Sequence, residues 1–207
     1  MKNNILIALI TAMVVVVVSS NYLVQFPLQM IIGSYNLADI LTWGAFTYPA
    51  AFLITDLTNR AYGPSKARIV VIIGFAVAVM LSGILAPVRI AIASGTAFLL
   101  AQLLDVFVFN RLRQGRWWRA PVISSTFGSV IDTALFFSLA FAASFAFLGQ
   151  SVPFLVESAP LLGLFSTEGP RWVSLAMGDF VVKMLVALVM LVPYGLLRSR
   201  ISNIQPA

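Results

Sequence analysis

The stretch ILIALITAMVVVVV, residues 5–18, decides the fold class of this chain. It contains no charged side chain and no alternation of polar with apolar residues. A strand of a transmembrane barrel alternates lipid-facing and lumen-facing residues over about 10 positions, whereas a helix that crosses the bilayer needs about 20 predominantly apolar residues. The stretch therefore predicts a membrane-spanning helix with bounds near residues 4 and 24.

The composition of the whole chain agrees with this prediction. Of the 207 residues, 60% are hydrophobic and 10% are charged, and the mean hydropathy is +0.99. An average soluble domain is about 25% charged, so a water-soluble enzyme domain, a coiled coil and a disordered chain are excluded. We predict an all-α polytopic membrane protein in which residues 1–207 form a single transmembrane domain.

Apolar stretches long enough to cross a bilayer recur along the chain. The six predicted spans are residues 4–24, 40–60, 67–87, 89–111, 120–147 and 171–197. Their connections are short except for 25–39 and 148–170, and neither of these is long enough for a separate domain. The first span could instead be a cleaved signal peptide, but the apolar pattern resumes at Tyr22, so we expect the helix to be retained.

The basic residues predict the orientation of these spans. With the N-terminus in the cytoplasm, ten Lys and Arg residues fall on the inner side: Lys2, Arg60, Lys66, Arg68, Arg111, Arg113, Arg116, Arg119, Arg198 and Arg200. Arg89 and Arg171 fall on the outer side, and Lys183 lies within the sixth span. By the positive-inside rule this distribution predicts six transmembrane helices with both termini cytoplasmic. It also explains the net charge of +6 without a nucleic-acid partner.

Cysteine and histidine are both absent from the sequence, which narrows the chemistry. Thiolate and Ser-His nucleophiles and the usual zinc sites are therefore excluded. No P-loop motif is present, so the chain alone cannot hydrolyse ATP by that mechanism. An intramembrane aspartyl protease stays open as an alternative, although Met177-Gly178-Asp179 is only a fragment of its GxGD signature. We predict no enzyme activity, no catalytic residue, no cofactor and no metal site.

Five ionisable residues fall within the predicted spans, where an ordinary membrane helix has apolar residues. They are Asp56, Asp105, Asp132, Asp179 and Lys183. An unpaired charge at the bilayer centre costs about 2.5–3.5 kcal/mol even on insertion scales. We therefore expect these side chains to face one another or a water-filled cavity, which favours transport of a small polar solute.

The fifth and sixth spans carry the deepest of these groups. Asp179 and Lys183 are four residues apart with the acid N-terminal, an arrangement that favours an ion pair on one helix face. Two interpretations stay open for this pair. Its charges either cancel only so that the helix can insert into the membrane, or both side chains line the cavity. In the fifth span, Ser125, Ser129 and Asp132 form one polar stripe. Serines at such spacing also serve close helix packing, whereas Asp132 is harder to explain by packing.

The second and fourth spans carry related patterns near the inner face. Gln102, which both donates and accepts hydrogen bonds, stands three residues before Asp105. Asp105 could instead cap the helix end with Asn110 and Arg111. Asp56 and Arg60 are four apart and could form an inner-face ion pair. Each span has an aspartate followed by Asn-Arg, which suggests an internal repeat of the kind that transporters contain, although chance is a real alternative.

At these same residues the chain resembles the vitamin uptake transporter family that includes the bacterial queuosine precursor transporters. The matching segments are TWGAFT at 42–47, TDLTNRAYG at 55–63, AQLLDVFVFNRLR at 101–113, WWRAP at 117–121, residues 125–132, and Asp179 with Lys183. The resemblance covers roughly residues 40–198. Its most specific part is the run Gln-x-x-Asp-x-x-x-Phe-Asn-Arg-Leu-Arg, residues 102–113.

The resemblance implies import of 7-cyano-7-deazaguanine or its 7-aminomethyl analogue through the bacterial inner membrane by a multi-pass secondary transporter. The expected substrate-binding residues are Asp56, Gln102, Asp105, Ser129, Asp132, Asp179 and Lys183. Carboxylate and amide groups suit the edge of a deazaguanine, and Tyr48, Phe107, Phe127 or Phe136 could stack on its ring. The alternative is the binding subunit of an energy-coupling-factor transporter that needs a separate ATPase. Ala8 and Ala12 form a face of small residues that could dock a partner helix or pack within the chain. A homo-oligomer stays open.

Overall fold

Helices make up most of the part of the chain that the structure, a computed structural model, describes: residues 2–32, 35–39, 41–163 and 165–201. The helices are α1 (Lys2–Leu23), α2 (Gly44–Thr47), α3 (Pro49–Tyr62), α4 (Pro64–Leu85), α5 (Val88–Leu112), α6 (Arg119–Phe141), α7 (Pro153–Val156) and α8 (Arg171–Ile201). Ile40, where the predicted second span begins, and the side chains of Lys2 and Arg200 lie outside the described residues.

Five of the described helices are long and apolar enough to cross a membrane. They are α1, α4, α5, α6 and α8. Their bounds agree with five of the predicted spans to within a few residues at nearly every end, because uninterrupted apolar stretches of this length form helices in which every backbone group is satisfied internally. The chain is an all-α membrane protein in its described part, apart from two short hairpins.

The predicted second span, residues 40–60, is divided in the structure into α2 and α3. The division falls at Tyr48, immediately before Pro49, whose missing N–H interrupts the helical hydrogen-bond ladder. Tyr48 keeps helical backbone angles of φ −53° and ψ −42°, so the direction of the chain continues through the break. Together α2 and α3 extend over about 28 Å at 1.5 Å per residue.

The predicted fifth span, residues 120–147, is too long, because α6 ends at Phe141 and a 3-10 segment follows at Ala143–Leu148. Arg89 stabilises this ending. Its guanidinium donates hydrogen bonds to the carbonyl oxygens of Leu139 at 2.9 Å, Ala142 at 2.7 Å and Gly149 at 3.0 Å. Arg89 is only 2% exposed. Its role is therefore to satisfy carbonyl groups at the helix terminus.

The two long connections contain small hairpins at the same end of the bundle. Strand β1 (Ile31–Ile32) pairs antiparallel with β2 (Tyr35–Asn36). After α7, strand β3 (Ser158–Pro160) pairs antiparallel with β4 (Glu168–Pro170), which leads directly into α8. We call this end, where α1, α4 and α6 finish and α8 begins, the loop end. The opposite end, where α3 and α5 finish in arginine-rich turns, is the basic end.

Helix α3 occupies the centre of the bundle. It packs against α1, α4, α5, α6 and α8, and ten of its residues are buried. Thr55, Asp56, Thr58 and Asn59 are among them. The most extensive helix pair is α5 with α6. The polar part of α3 is therefore surrounded by protein, which is where polar side chains can be satisfied in a membrane protein.

Candidate functional site

A cavity of about 290 Å³ lies in the half of the bundle nearest the loop end and is partly open to the protein surface. This volume is close to the lower limit of about 300 Å³ for small-molecule pockets. The residues that line it are Asn21, Val24, Gln25, Leu41, Thr42, Gly44, Ala45, Tyr48, Ser82, Leu85, Ala86, Ile90, Ser94, Ala97, Asp132, Phe136, Phe137, Phe141, Leu155, Leu175, Asp179 and Lys183.

The charged part of the cavity wall is formed by Lys183, Asp179 and Asp132. The Lys183 Nζ donates to Asp179 Oδ2 at 2.5 Å and to Asp132 Oδ2 at 2.6 Å. It also lies 3.2 Å from Thr133 Oγ1, which donates to Asp179 Oδ2 at 2.9 Å. The predicted ion pair between Asp179 and Lys183 is therefore present, and α6 adds a second carboxylate to the same ammonium group.

This ionic cluster presents its carboxylates, rather than its ammonium group, to the cavity. Lys183 has a side chain only 5% exposed, whereas the side chains of Asp132 and Asp179 are 14% and 17% exposed. The hydrogen bonds described here all use Oδ2 of the two aspartates. With both acids ionised the cluster carries one net negative charge, so it suits a solute that donates hydrogen bonds or carries a cation.

Aromatic side chains form a large part of the remaining wall. Tyr48, Phe136, Phe137 and Phe141 line the cavity. Of the four aromatic residues predicted to stack on a ring, Tyr48 and Phe136 are in position.

The other two predicted stacking residues face away from the cavity. Phe107 and Phe127 are 53% and 54% exposed on the outside of the bundle. Each is two residues from a buried polar residue on its own helix, and positions two apart do not share a helix face.

Two further polar residues, which were not predicted from the sequence, complete the rim. Asn21 lies at the end of α1, and its side-chain oxygen accepts a hydrogen bond from Ser82 Oγ at 2.9 Å. Both residues are buried and line the cavity. An isolated Asn or Ser within a long apolar helix was the signal that could have identified them.

The other four predicted site residues, Asp56, Gln102, Asp105 and Ser129, do not line the cavity. All are buried between α3, α5 and α6. The Thr55 hydroxyl donates to Gln102 Oε1 at 2.6 Å. The structure thus divides the predicted site into a cavity group and a buried group.

Within the buried group, the carboxyl groups of Asp56 and Asp105 lie within hydrogen-bonding reach of each other. Ser124 Oγ donates to Asp56 Oδ1 at 3.3 Å. The alternative ion pair of Asp56 with Arg60 does not form, and the guanidinium of Arg60 donates to the Arg113 carbonyl at 2.6 Å. These contacts place the two aspartates of the suggested repeat side by side.

The basic end is closed by contacts between α3, α5 and α8. Asn59 Nδ2 donates to the Val106 carbonyl at 3.0 Å, and Arg113 Nη1 donates to the Asn59 carbonyl at 3.3 Å. Tyr194 is buried and stacks on Trp117. The alternative in which Asp105 caps the helix end with Asn110 and Arg111 is not supported, since the Arg111 guanidinium lies over the Phe107 ring. The arginines therefore tie helices together at this end.

Comparisons with known proteins find similarity to a family of membrane transporters. Residues 42–88 and 83–197 match the family described as "Putative vitamin uptake transporter". The chain is 37% identical to the queuosine precursor transporter of Escherichia coli (strain K12) over 204 residues, 88% of this chain and 81% of the relative.

Two further relatives have the same kind of name. The chain is 35% identical to the probable queuosine precursor transporter of Haemophilus influenzae, over 87% of this chain and 80% of the relative. It is 24% identical to the probable queuosine precursor transporter of Bacillus subtilis, over 74% of this chain and 69% of the relative. No solved structure matches the chain.

Proposed function

Because the chain belongs to the vitamin uptake transporter family, we propose that it imports queuosine precursors through the bacterial inner membrane. The substrates are 7-cyano-7-deazaguanine and its 7-aminomethyl analogue. The observation that carries this proposal is the cavity near the loop end, where two partly exposed carboxylates lie among aromatic side chains. Its relatives named for the same transport support the substrate class.

The chemistry of the cavity suits a flat heterocycle. The edge of a deazaguanine carries adjacent N–H donors, and a carboxylate accepts such a pair in a charge-assisted arrangement. Asp132 and Asp179 fill that role, with Lys183 holding both acids in place. Phe136 and Tyr48 supply apolar ring faces. A 7-aminomethyl cation complements the net negative charge of the cluster.

We assign six crossings to the chain, with the α2–α3 unit as the second and both termini in the cytoplasm. The basic residues near the ends of α3 and α5 support this orientation by the positive-inside rule. The cavity then opens toward the outside, and the contacts among Asn59, Arg60 and Arg113 close the cytoplasmic side. The described arrangement is the outward-facing state of one transport domain.

Transport in this proposal proceeds by alternating access. The substrate binds among α3, α5, α6 and α8, the loop end closes above it, and the basic end opens. The hydrogen bonds that tie α3 to α5 at the basic end must separate in that step. Gln102 and Ser129, which lie outside the cavity in the outward-facing state, contact the substrate as it passes toward the basic end.

The test is uptake of radiolabelled 7-cyano-7-deazaguanine by liposomes that contain only the purified protein. The wild type is expected to show saturable uptake, and Asp132→Asn and Asp179→Asn are expected to reduce it strongly. Glu168→Gln is the matched control, because it makes the same acid-to-amide change on an exposed residue of the hairpin. Binding without uptake in the wild type would contradict a self-sufficient carrier, and normal uptake in both aspartate variants would contradict the site.

A further inference from the structure

Two carboxyl groups that the substrate cavity does not use are buried together near the basic end. Asp56 of α3 is 1% exposed and Asp105 of α5 is 0% exposed. Their carboxyl groups lie within hydrogen-bonding reach of each other, and neither residue lines the cavity. We call these two residues the carboxyl pair.

The carboxyl pair lacks the hydrogen-bond donors that buried carboxylates need. Among the described residues, no donor in hydrogen-bonding geometry reaches either oxygen of Asp105, and the side-chain oxygen of Asn59, one helical turn from Asp56, is also without a donor. The Ser124 hydroxyl lies close to both carboxyl groups, but it has one proton, which can go to Asp56 Oδ1 at 3.3 Å or to the Pro121 carbonyl at 3.4 Å. Buried polar atoms are normally satisfied, so this site calls for an additional donor.

The surrounding charges do not neutralise the carboxyl pair. The charged and titratable groups that face it are Arg60 of α3 and Tyr194 of α8. Arg60 directs its hydrogen bond to the Arg113 carbonyl, and no ion pair within the described part of the chain includes Asp56 or Asp105. Two adjacent carboxylates in a buried site cannot both be ionised, because their charges repel and are poorly solvated. One proton shared by the two groups supplies both the donor and the neutralisation.

The position of the carboxyl pair connects this proton to the transport step. The two residues stand on α3 and α5, the helices that the contacts of Asn59 and Arg113 hold together at the basic end. On α6, the stripe of Ser125, Ser129 and Asp132 leads from the neighbourhood of Ser124 to the cavity over about 10 Å at 1.5 Å per residue. The hydroxyl of Ser129 is buried without a partner among the described residues.

We propose that the carboxyl pair holds one proton and that this proton is the coupling ion for substrate import. The proton enters from the outer side through the cavity and passes along the Ser129 stripe to Asp105 and Asp56. When the basic end opens, water solvates the two carboxylates separately, and the proton leaves to the cytoplasm. This inference rests on the proposed import function and adds its energy source.

The experiment uses the full chain in liposomes, with radiolabelled 7-cyano-7-deazaguanine as the probe. One arm measures accumulation when the outside is one pH unit more acidic than the inside. A second arm measures exchange of labelled for unlabelled base without a gradient, and a pH-sensitive dye inside the liposomes reports proton entry. The variants are Asp105→Asn, Asp56→Asn, Asp105→Glu and the control Glu168→Gln.

Wild type and Glu168→Gln are expected to accumulate the base about tenfold at one proton per substrate, because one pH unit corresponds to a factor of ten in proton activity. Asp105→Asn and Asp56→Asn are expected to lose this accumulation and the dye signal but to retain exchange. Asp105→Glu restores part of the gradient response. Accumulation of wild-type size in both amide variants, or accumulation driven by a sodium gradient alone, would overturn the inference while leaving the import function intact.

A readout that does not depend on transport separates the two proposals. Infrared difference spectra of the purified protein are expected to show a protonated carboxyl band at neutral pH in the wild type and not in the double variant Asp56→Asn/Asp105→Asn, which has no carboxyl group at this position. Absence of that band from the wild type overturns the inference. Absence of both uptake and exchange in the wild type overturns the proposed function instead. Thermal unfolding of each variant in detergent identifies variants that have lost the fold.

Discussion

Two pairs of aspartates lie in contrasting surroundings. One pair lines the cavity near the loop end, and the other is the carboxyl pair near the basic end. Asp132 and Asp179 share the ammonium group of Lys183 and remain partly exposed. Asp56 and Asp105 are fully buried, and Asp105 has no donor among the described residues. A lysine fixed beside Asp132 and Asp179 leaves both carboxylates charge-paired and able to bind a solute. No such cation is paired with Asp56 or Asp105 among the described residues, which is the basis for the proposed proton there.

The largest effect is expected from removing the fixed cation, which should make the cavity resemble the carboxyl pair. Lys183→Met leaves Asp132 and Asp179 close together without their shared ammonium group. Breaking a buried ion pair costs about 3–5 kcal/mol, so uptake should be lost and the thermal unfolding temperature should fall. The control combines Lys183→Met with Asp132→Asn and Asp179→Asn, which should recover stability without uptake. Wild-type uptake by Lys183→Met alone would remove the distinction between the two regions.

The next effect tests how tightly the helices around the carboxyl pair are packed. A Cβ added at Gly128 of α6 would stand 2.6 Å from Phe52 Cε1 on α3. Gly128→Ala should therefore destabilise the protein by about 1–3 kcal/mol, the usual consequence of overpacking. At Gly83 of α4 an added Cβ meets nothing within 4 Å. Thermal unfolding in detergent should show a loss for Gly128→Ala and none for Gly83→Ala, and equal behaviour would contradict the tight contact.

A smaller effect concerns the aromatic wall of the cavity. Phe136→Ala should raise the KM for uptake by up to about tenfold, since an aromatic contact contributes about 0.5–1.5 kcal/mol beyond area burial. The control is Phe127→Ala. Phe127 lies on the same helix, but its side chain faces the outside of the bundle. Its KM should stay at the wild-type value. An increased KM in Phe127→Ala and not in Phe136→Ala would reverse the assignment of the inner face of α6.

The smallest effect separates the buried group from the cavity. Thr55→Val removes the hydroxyl that donates to Gln102 Oε1 at 2.6 Å, and the expected loss of stability is about 1 kcal/mol. The KM for uptake should not change, because neither residue lines the cavity. In Thr55→Val/Gln102→Leu both partners are apolar, so stability should partly return. A large change of KM in Thr55→Val would show that the buried group contacts the substrate without a rearrangement of the helices.

Most of the helices were predictable from the sequence because membrane helices depend on local composition. Five predicted spans correspond to α1, α4, α5, α6 and α8. The break between α2 and α3 and the early end of α6 were not predicted. Both depend on particular contacts, the missing donor of Pro49 in one case and the three hydrogen bonds of Arg89 in the other.

The sequence predicted which polar residues lie inside the bundle. It did not predict which of them contact one another. All seven selected polar residues lie inside the bundle, because a bilayer penalises lipid-facing polar groups and the helices must turn them inward. The i, i+4 spacing also predicted the pair of Asp179 with Lys183. The spacing of Asp56 with Arg60 is the same, yet Arg60 contacts the Arg113 carbonyl instead. Spacing along one helix fixes which groups share a face, and the neighbouring helices decide which partner is nearer.

Composition and patterning alone therefore determined that the chain is a helical membrane protein with a polar interior, and its motifs identified the family. These properties follow from local rules, since each helix satisfies its own backbone and each apolar stretch meets the bilayer by itself. Tertiary packing decided that Lys183 forms an ion pair with Asp132 as well as with Asp179, and that Asp56 lies beside Asp105. Those contacts join residues about 50 positions apart in the chain, and only the packed bundle brings them within reach.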